Sequence, residues 1–367
     1  MLFKAAFRTA IVSAVVVTGA TTAFAQTRTI STTTNANATR GMATMAEETT
    51  TTTQLGAPEC MRNGRSPASL LLFPEYDNRF GKNTLLTLTN TDTDQTSDDV
   101  LVELWYINEA TCLKTDRTVR LTPGDTITLL TDSHIQTDDR GYVFAFVKNL
   151  AGVPVTNNVV IGQLIYIDGF GLGSLDWSVN AVGFKGVTAR FTTTDVDGDG
   201  NKDLDGTEYE EAPDRIHIPR FLGQDLFSNS TMTFIALSGG VQFTTILDFA
   251  IYNDNEEMFS RQYQFYCWDK VRLTDISNVF SNSFLQSTND DPNEILGAPA
   301  QEAGWFTFQG LNAFSTITNI ADPAVYGVLV EDRFGERVAD LPWDEGCQDN
   351  GSLIPAGPLG DNSDQNP

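Results

Sequence analysis

The chain has 367 residues, a formal charge of −25 at neutral pH and 41% hydrophobic residues, enough apolar material for a sizeable core. So much acid excludes nucleic acid and anionic membrane as partners, because both would be repelled over a Debye length of about 10 Å. It favours cations, and it equally suits the solubility of an exported protein.

Residues 1–25 read as a secretory signal. Lys4 and Arg8 supply the positive start, Ala10 to Ala20 the apolar stretch, and Ala23-Phe24-Ala25 a small-x-small cleavage site before Gln26. No cysteine follows that site, which argues against a lipid anchor, and cleavage there would take the net charge from −25 to −27. No later apolar run approaches the roughly 20 residues of a membrane span. The expected destination is export: extracellular, cell surface or periplasmic. Residues 26–58 are Thr-rich, with too little apolar surface to offset the entropy of ordering, and are expected to be disordered.

From Leu70 the texture changes to short β-type runs between turn residues, with no long amphipathic helix. Strands are predicted at Leu70–Pro74, Leu85–Asn90, Val100–Ile107, Thr118–Leu121, Thr126–Leu130, Tyr142–Val147, Val159–Ile167 and Trp177–Phe184. Tyr142, Phe144 and Phe146 fall on one face of their strand, with Val143, Ala145 and Val147 on the other. The count of strands is that of an immunoglobulin-like sandwich.

The second half echoes the first in order. Phe73-Pro74 returns as Ile218-Pro219, Thr84 to Asn90 as Thr231 to Leu237, and Trp105-Tyr106 with Asn108 as Ile251-Tyr252 with Asn255. Val119-Arg-Leu-Thr122 recurs as Val271-Arg-Leu-Thr274, Gly141-Tyr142 and Phe144 as Gly304-Trp305 and Phe306, and Gly162 as Gly327. The expected fold is therefore all-β, with two tandem immunoglobulin-like antiparallel sandwiches at 59–190 and 214–347. An acidic linker at 191–213 joins them, Ser281 to Gly304 forms a long surface loop, and 348–367 is a floppy tail. Four cysteines in an oxidising compartment allow three pairings; Cys60–Cys112 with Cys267–Cys347 keeps each bridge inside one half and is preferred.

The linker holds the one segment with nameable chemistry, Asp195-Val-Asp-Gly-Asp-Gly-Asn-Lys-Asp-Leu-Asp-Gly-Thr-Glu208. Asp195, Asp197 and Asp199 stand at positions 1, 3 and 5 of a calcium loop, Gly200 at the sharp turn and Asp203 at position 9. The stretch resembles the DxDxDG calcium loops of EF-hands, dockerins and thrombospondin type 3 repeats. That resemblance implies carboxylate ligands from Asp195, Asp197, Asp199 and Asp203 and a carbonyl from Asn201. Gly206 occupies the position of the usual bidentate acid, so Glu208 must reach back or Asp205 substitute. A solvated acidic linker and a turn rich in Asp and Gly for backbone reasons are the alternatives.

No nucleophile motif accompanies His134 or His217, and Asp168-Gly-Phe-Gly-Leu-Gly173 has no following helix to cradle phosphate. Trp105, Trp177, Trp268, Trp305 and Trp343, with Tyr263 and Tyr266, form either sandwich core or a sugar-stacking platform. The sequence reading is an exported, non-catalytic structural or adhesion-type surface protein with a calcium-stiffened interdomain loop. Its partners would be cell-surface or matrix components or polysaccharide. A secreted carbohydrate-binding protein is the alternative, and a carboxylate-pair hydrolase comes third.

Overall fold

Alternating apolar residues bounded by turn formers give a succession of short strands in the computed structural model. It describes residues 64–94, 96–168, 175–238, 243–288, 301–316, 318–353 and 361–362. The expected signal and Thr-rich segments, Cys60, the glycines of 169–173 and the loop at Asn289 to Glu294 lie outside the described residues. Leu55–Pro367 form one compact unit.

The first half contains β1 (Leu70–Asp77), β2 (Asn83–Asn90), β3 (Val100–Asn108), β4 (Lys114–Leu121), β5 (Thr126–Leu130), the short helix α1 (Thr131–Ile135), β6 (Arg140–Lys148), β7 (Val160–Ile167), β8 (Leu175–Asn180) and β9 (Val182–Phe184). Two antiparallel sheets result, β4-β3-β6-β1-β9 and β5-β2-β7-β8, and the Phe73 ring of one fills the space over Gly162 of the other. β10 (Lys202–Leu204) belongs to the acidic segment.

The second half contains β11 (Arg215–Leu222), β12 (Thr231–Ala236), β13 (Thr244–Asn253), β14 (Met258–Tyr266), β15 (Trp268–Arg272), α2 (Leu273–Ile276), α3 (Asn282–Thr288), β16 (Ala303–Phe314), β17 (Asn319–Ala321), β18 (Val325–Arg333), β19 (Glu336–Ala339) and β20 (Trp343–Glu345). Its sheets are β14-β13-β16-β11-β20 and β15-β12-β18-β19. Phe234 of the smaller sheet meets Phe249 and Phe308 of the larger edge-on. β21 (Gly351–Leu353) pairs with β10, and β22 (Asp361–Asn362) runs parallel beside β4. The segment expected to be a floppy tail thus contributes two strands. The expected loop after Ser281 likewise begins as α3, which buries Leu285.

The strand order of the first half recurs in the second, with β17 as an addition. A β-bulge follows Pro74, between Phe73 and Tyr76, and another follows Pro219, between Ile218 and Phe221. A Cβ on Gly141 would lie 1.8 Å from the Ile107 carbonyl oxygen, and one on Gly304 2.2 Å from that of Tyr252, so both positions exclude a side chain.

Register corrects the letter matching. Gly141 faces Asn108 and Gly304 faces Asn253, so Asn108 corresponds to Asn253 rather than Asn255, and Ile107 rather than Tyr106 to Tyr252. Val143 rather than Phe144 corresponds to Phe306, because they face Phe73 and Ile218. The two Val-Arg-Leu-Thr runs begin on β4 and β15, strands of different sheets, the second passing into α2 at Leu273, and are not equivalent.

The halves are joined by more than the chain. Cys112 bonds Cys267, which overturns the expected pairing within each half; Cys347 is also disulfide-bonded. Cys267 sits at φ 57°, and this left-handed turn carries the chain from β14 into β15 and aims Trp268 at the first half. The Trp268 indole N–H donates to the Pro74 carbonyl at 2.8 Å, and the Lys270 ammonium donates to both Glu75 oxygens at 2.7 and 2.8 Å. Trp268 is therefore buried, not a free platform ring. Arg337 on β19 binds Asp168 and Asp176 of the first half together with Asp332 of its own. One apolar core runs through both halves.

The Cys112–Cys267 bridge spans 155 residues, and the loop-entropy argument assigns it about 5 kcal/mol. A Cys112→Ser/Cys267→Ser variant should melt well below the parent in a calorimetric scan; an unchanged melting temperature would contradict that assignment.

Candidate metal centre

The acidic segment is held in place before any ion is considered. Leu204, Tyr209 and Ala212 are fully buried, Tyr209 pairs with Gly186 in an isolated bridge, and its hydroxyl shares a hydrogen bond with Thr194 at 2.9 Å. β10 pairs with β21, and the Ser352 N–H donates to the Leu237 carbonyl at 2.6 Å in the second half. The segment also covers the outer face of the larger sheet in the first half. Lys202 is 2% exposed, its ammonium 4.8 Å from the centre of the Phe146 ring and 5.4 Å from that of Trp105. This cover and the docked β15 together bury β1 and β6 on both faces.

Within the loop, Gly198 and Gly200 take φ of 81° and 84°, which turns the backbone back on itself. The Gly200 N–H donates to Asp195 Oδ1 at 3.4 Å and the Asp199 N–H to Asp197 Oδ1 at 3.1 Å. These turns gather carboxylates. Oxygens of Asp195, Asp197 and Glu208 lie within 4.8 Å of one another, and so do those of Asp197, Asp199 and Asp203. Asp197 is common to both groups.

Of the two acids near Gly206, Glu208 and not Asp205 joins the carboxylate group. Its carboxylate accepts from the N–H groups of Val196 and Asp203, while Asp205 accepts from the N–H groups of Thr207 and Glu208 at 2.8 and 3.2 Å and stays out of the cluster. The Asn201 carbonyl, expected as a ligand, accepts from Lys202 Nζ at 2.8 Å, as does Gly200's at 2.9 Å. Its side-chain amide donates to Asp199. Lys202 fills the slot that calcium loops give to an apolar residue, and an amphipathic stem makes that substitution workable.

Electrostatics distinguish the members. Burial is the main influence raising the Glu208 carboxyl to about 7, with the charges of Asp203 and Asp195 adding to it against two stabilising backbone hydrogen bonds. Burial likewise raises Asp203, helped by Asp199, Asp205 and Asp197. Burial lowers the Lys202 amine, opposed by Asp195 and Glu208. The donor set is all oxygen, hard and anionic, and so fits a hard divalent cation better than a soft one.

The other sequence candidates are dispersed. His134 Nδ1 bonds the Tyr106 hydroxyl at 2.8 Å, and His217 Nε2 bonds Glu345 at 2.8 Å on a strand flanked by β16 and β20. Trp105 and Trp177 are buried with Trp268, whereas Trp305 and Trp343 are exposed.

No family model matches the chain, and no curated protein matches it. Among solved structures it is similar to one described as "Crystal Structure of Thermotoga maritima 1070", at 17% identity, over 32% of this chain and 94% of that one. The TM-score is 0.24, too low to carry an argument about either protein.

The raised Glu208 value sets a sign for pH. Its folded pKa, about 7, exceeds the ordinary 4.5, so the folded state binds the proton more tightly. That contribution to stability is complete below about 4.5 and is lost as pH rises through 7. In chelator, the parent should therefore lose melting temperature between pH 5 and pH 7.5 relative to Glu208→Gln; parallel profiles would exclude this role.

Proposed function

We propose that the chain is an exported, non-catalytic structural or adhesion-type surface protein in which calcium closes the acidic loop. The observation that carries this reading is the delivery of buried Glu208 to Asp195 and Asp197. A carboxylate withdrawn from water beside two others is costly as an anion, and a divalent cation removes that cost. Asp195, Asp197, Asp199, Asp203 and Glu208 are the proposed ligands.

The disulfide and the Lys270–Glu75 pair already tie the halves together. The role proposed for the ion is accordingly to keep the β10–β21 ribbon closed over Trp105 and Phe146, rather than to set the angle between halves. Immunoglobulin-like character and export are parts of this proposal. They rest on the strand count and the leader sequence, and fractionation of the secreted proteins of the native cell tests the latter.

Affinity in the range of about 0.1 to 1 mM is expected, as for extracellular modules. With a dissociation constant near 0.1 mM, about 10 mM calcium should stabilise the fold by about 2.7 kcal/mol. Chelation should restore protease cleavage near Asp195. Asp197→Asn, which touches both carboxylate groups, should weaken calcium at least tenfold by isothermal titration. A melting temperature indifferent to calcium and chelator alike would sink the proposal.

A further inference from the structure

The outer face of the sheet β14-β13-β16-β11-β20 exposes Met258, Ser260, Gln262, Trp305, Trp343 and Glu345, and its side chains follow from the register. Three rows cross it. At one end Met258, Tyr252 and Trp305 stand side by side, with Tyr252 and Trp305 stacked at 4.2 Å and 5° from parallel. The next row runs Ser260, Ala250, Thr307, His217 and Trp343, and the third Gln262, Asp248, Gln309, Arg215 and Glu345.

Trp305 is 39% exposed and Trp343 64%. Two strand spacings and one pleat repeat separate their backbones by about 12 Å, a span that two or three pyranose rings would cover. Farther along, Phe314 and Tyr266 flank Thr244 on the same face, and eight residues of β13 place them about 27 Å from Tyr252 and Trp305.

The charge on the face is compensated locally. Glu345 lies 2.8 Å from His217 and 3.8 Å from Arg215, and Arg215 donates to Gln309 at 2.9 Å. With His217 neutral, Arg215 set against Glu345 and Asp248 leaves the three rows a single net negative charge in a chain of −25, and their middle offers amide and carboxylate groups able to bind in both senses. Aromatic walls at the ends suit the apolar faces of sugar rings, and paired donors and acceptors between them suit hydroxyls. Lipid would bury Asp248 and Gln262 without hydrogen-bond partners, and an anionic polymer would meet the field of the whole chain.

We propose that this face binds an extended, uncharged polysaccharide, with Trp305 and Trp343 stacking against sugar rings and Gln262 and Gln309 bonding hydroxyls. It is independent of the calcium loop, which lies on the other half's sheet, so neither reading falls with the other.

The test is affinity electrophoresis of the full chain through gels containing hydroxyethylcellulose, glucomannan or laminarin, together with pull-down on cellulose and chitin and with alginate as the anionic control. Retardation by at least one neutral polymer is expected, reduced at least tenfold in affinity by Trp343→Ala and by Gln262→Ala. Phe227→Ala, in the exposed loop between β11 and β12 where the ring packs on Phe334 and not on this face, should leave it unchanged. Trp343 and Gln262 are both exposed, and equal melting temperatures certify folding. No retention on any neutral polymer, retention unaltered in both variants, or preference for alginate would each overturn the proposal.

Discussion

The Lys270–Glu75 ion pair holds the two halves of this molecule in one arrangement. Glu75 is 1% exposed, and the ammonium that satisfies it comes from the opposite half. Separating the halves without admitting water would strand a buried carboxylate, at a cost of several kcal/mol. The same docking site receives the Trp268 indole at the Pro74 carbonyl, so the bulge in β1 serves as socket for β15. A bulge that breaks the ladder frees a carbonyl and a side chain to face outward, and both are used.

The acidic loop depends on that arrangement in turn. Its ribbon β10–β21 leans on the first half through Lys202 and on the second through Ser352. The loop is better described as a lid than as a linker, since it seals Trp105 and Phe146 from water. Its carboxylates gather because the lid fixes both ends of the turn, not because the aspartates attract one another. Their mutual repulsion is what a cation would relieve.

Much of this was legible in the sequence, for identifiable reasons. Period-two alternation placed the strands of the first half, and Pro74 with Pro219 marked equivalent bulges because a missing N–H is tolerated there. Gly141 and Gly304 matched because a carbonyl lies where a Cβ would stand. Letter identity failed where it ignored the face of the strand: the Val-Arg-Leu-Thr runs are better matched in text than any true pair, yet begin on strands of different sheets. A slip of one residue on β3 reverses which side chains face the core, and only the partner strand reveals it. The Cys112–Cys267 bond was illegible because pairing follows from how the halves dock. Glu208 was named as a substitute acid beside Asp205, and the choice between them rests on which carboxylate the buried Tyr209 turn points inward.

The Cys112–Cys267 bond also limits how much of the chain can be drawn out under load. Any tension that reaches residues 112 and 267 passes between them through sulfur, and the intervening 155-residue span, acidic loop included, carries none of it; the bond made by Cys347 lies outside that span and shields it further. Fully extended, that span would be about 500 Å long, and it stays hidden length for as long as the bond is oxidised. In the oxidised molecule that length cannot be released, whereas reduction sets it free. Redox state sets its extensibility.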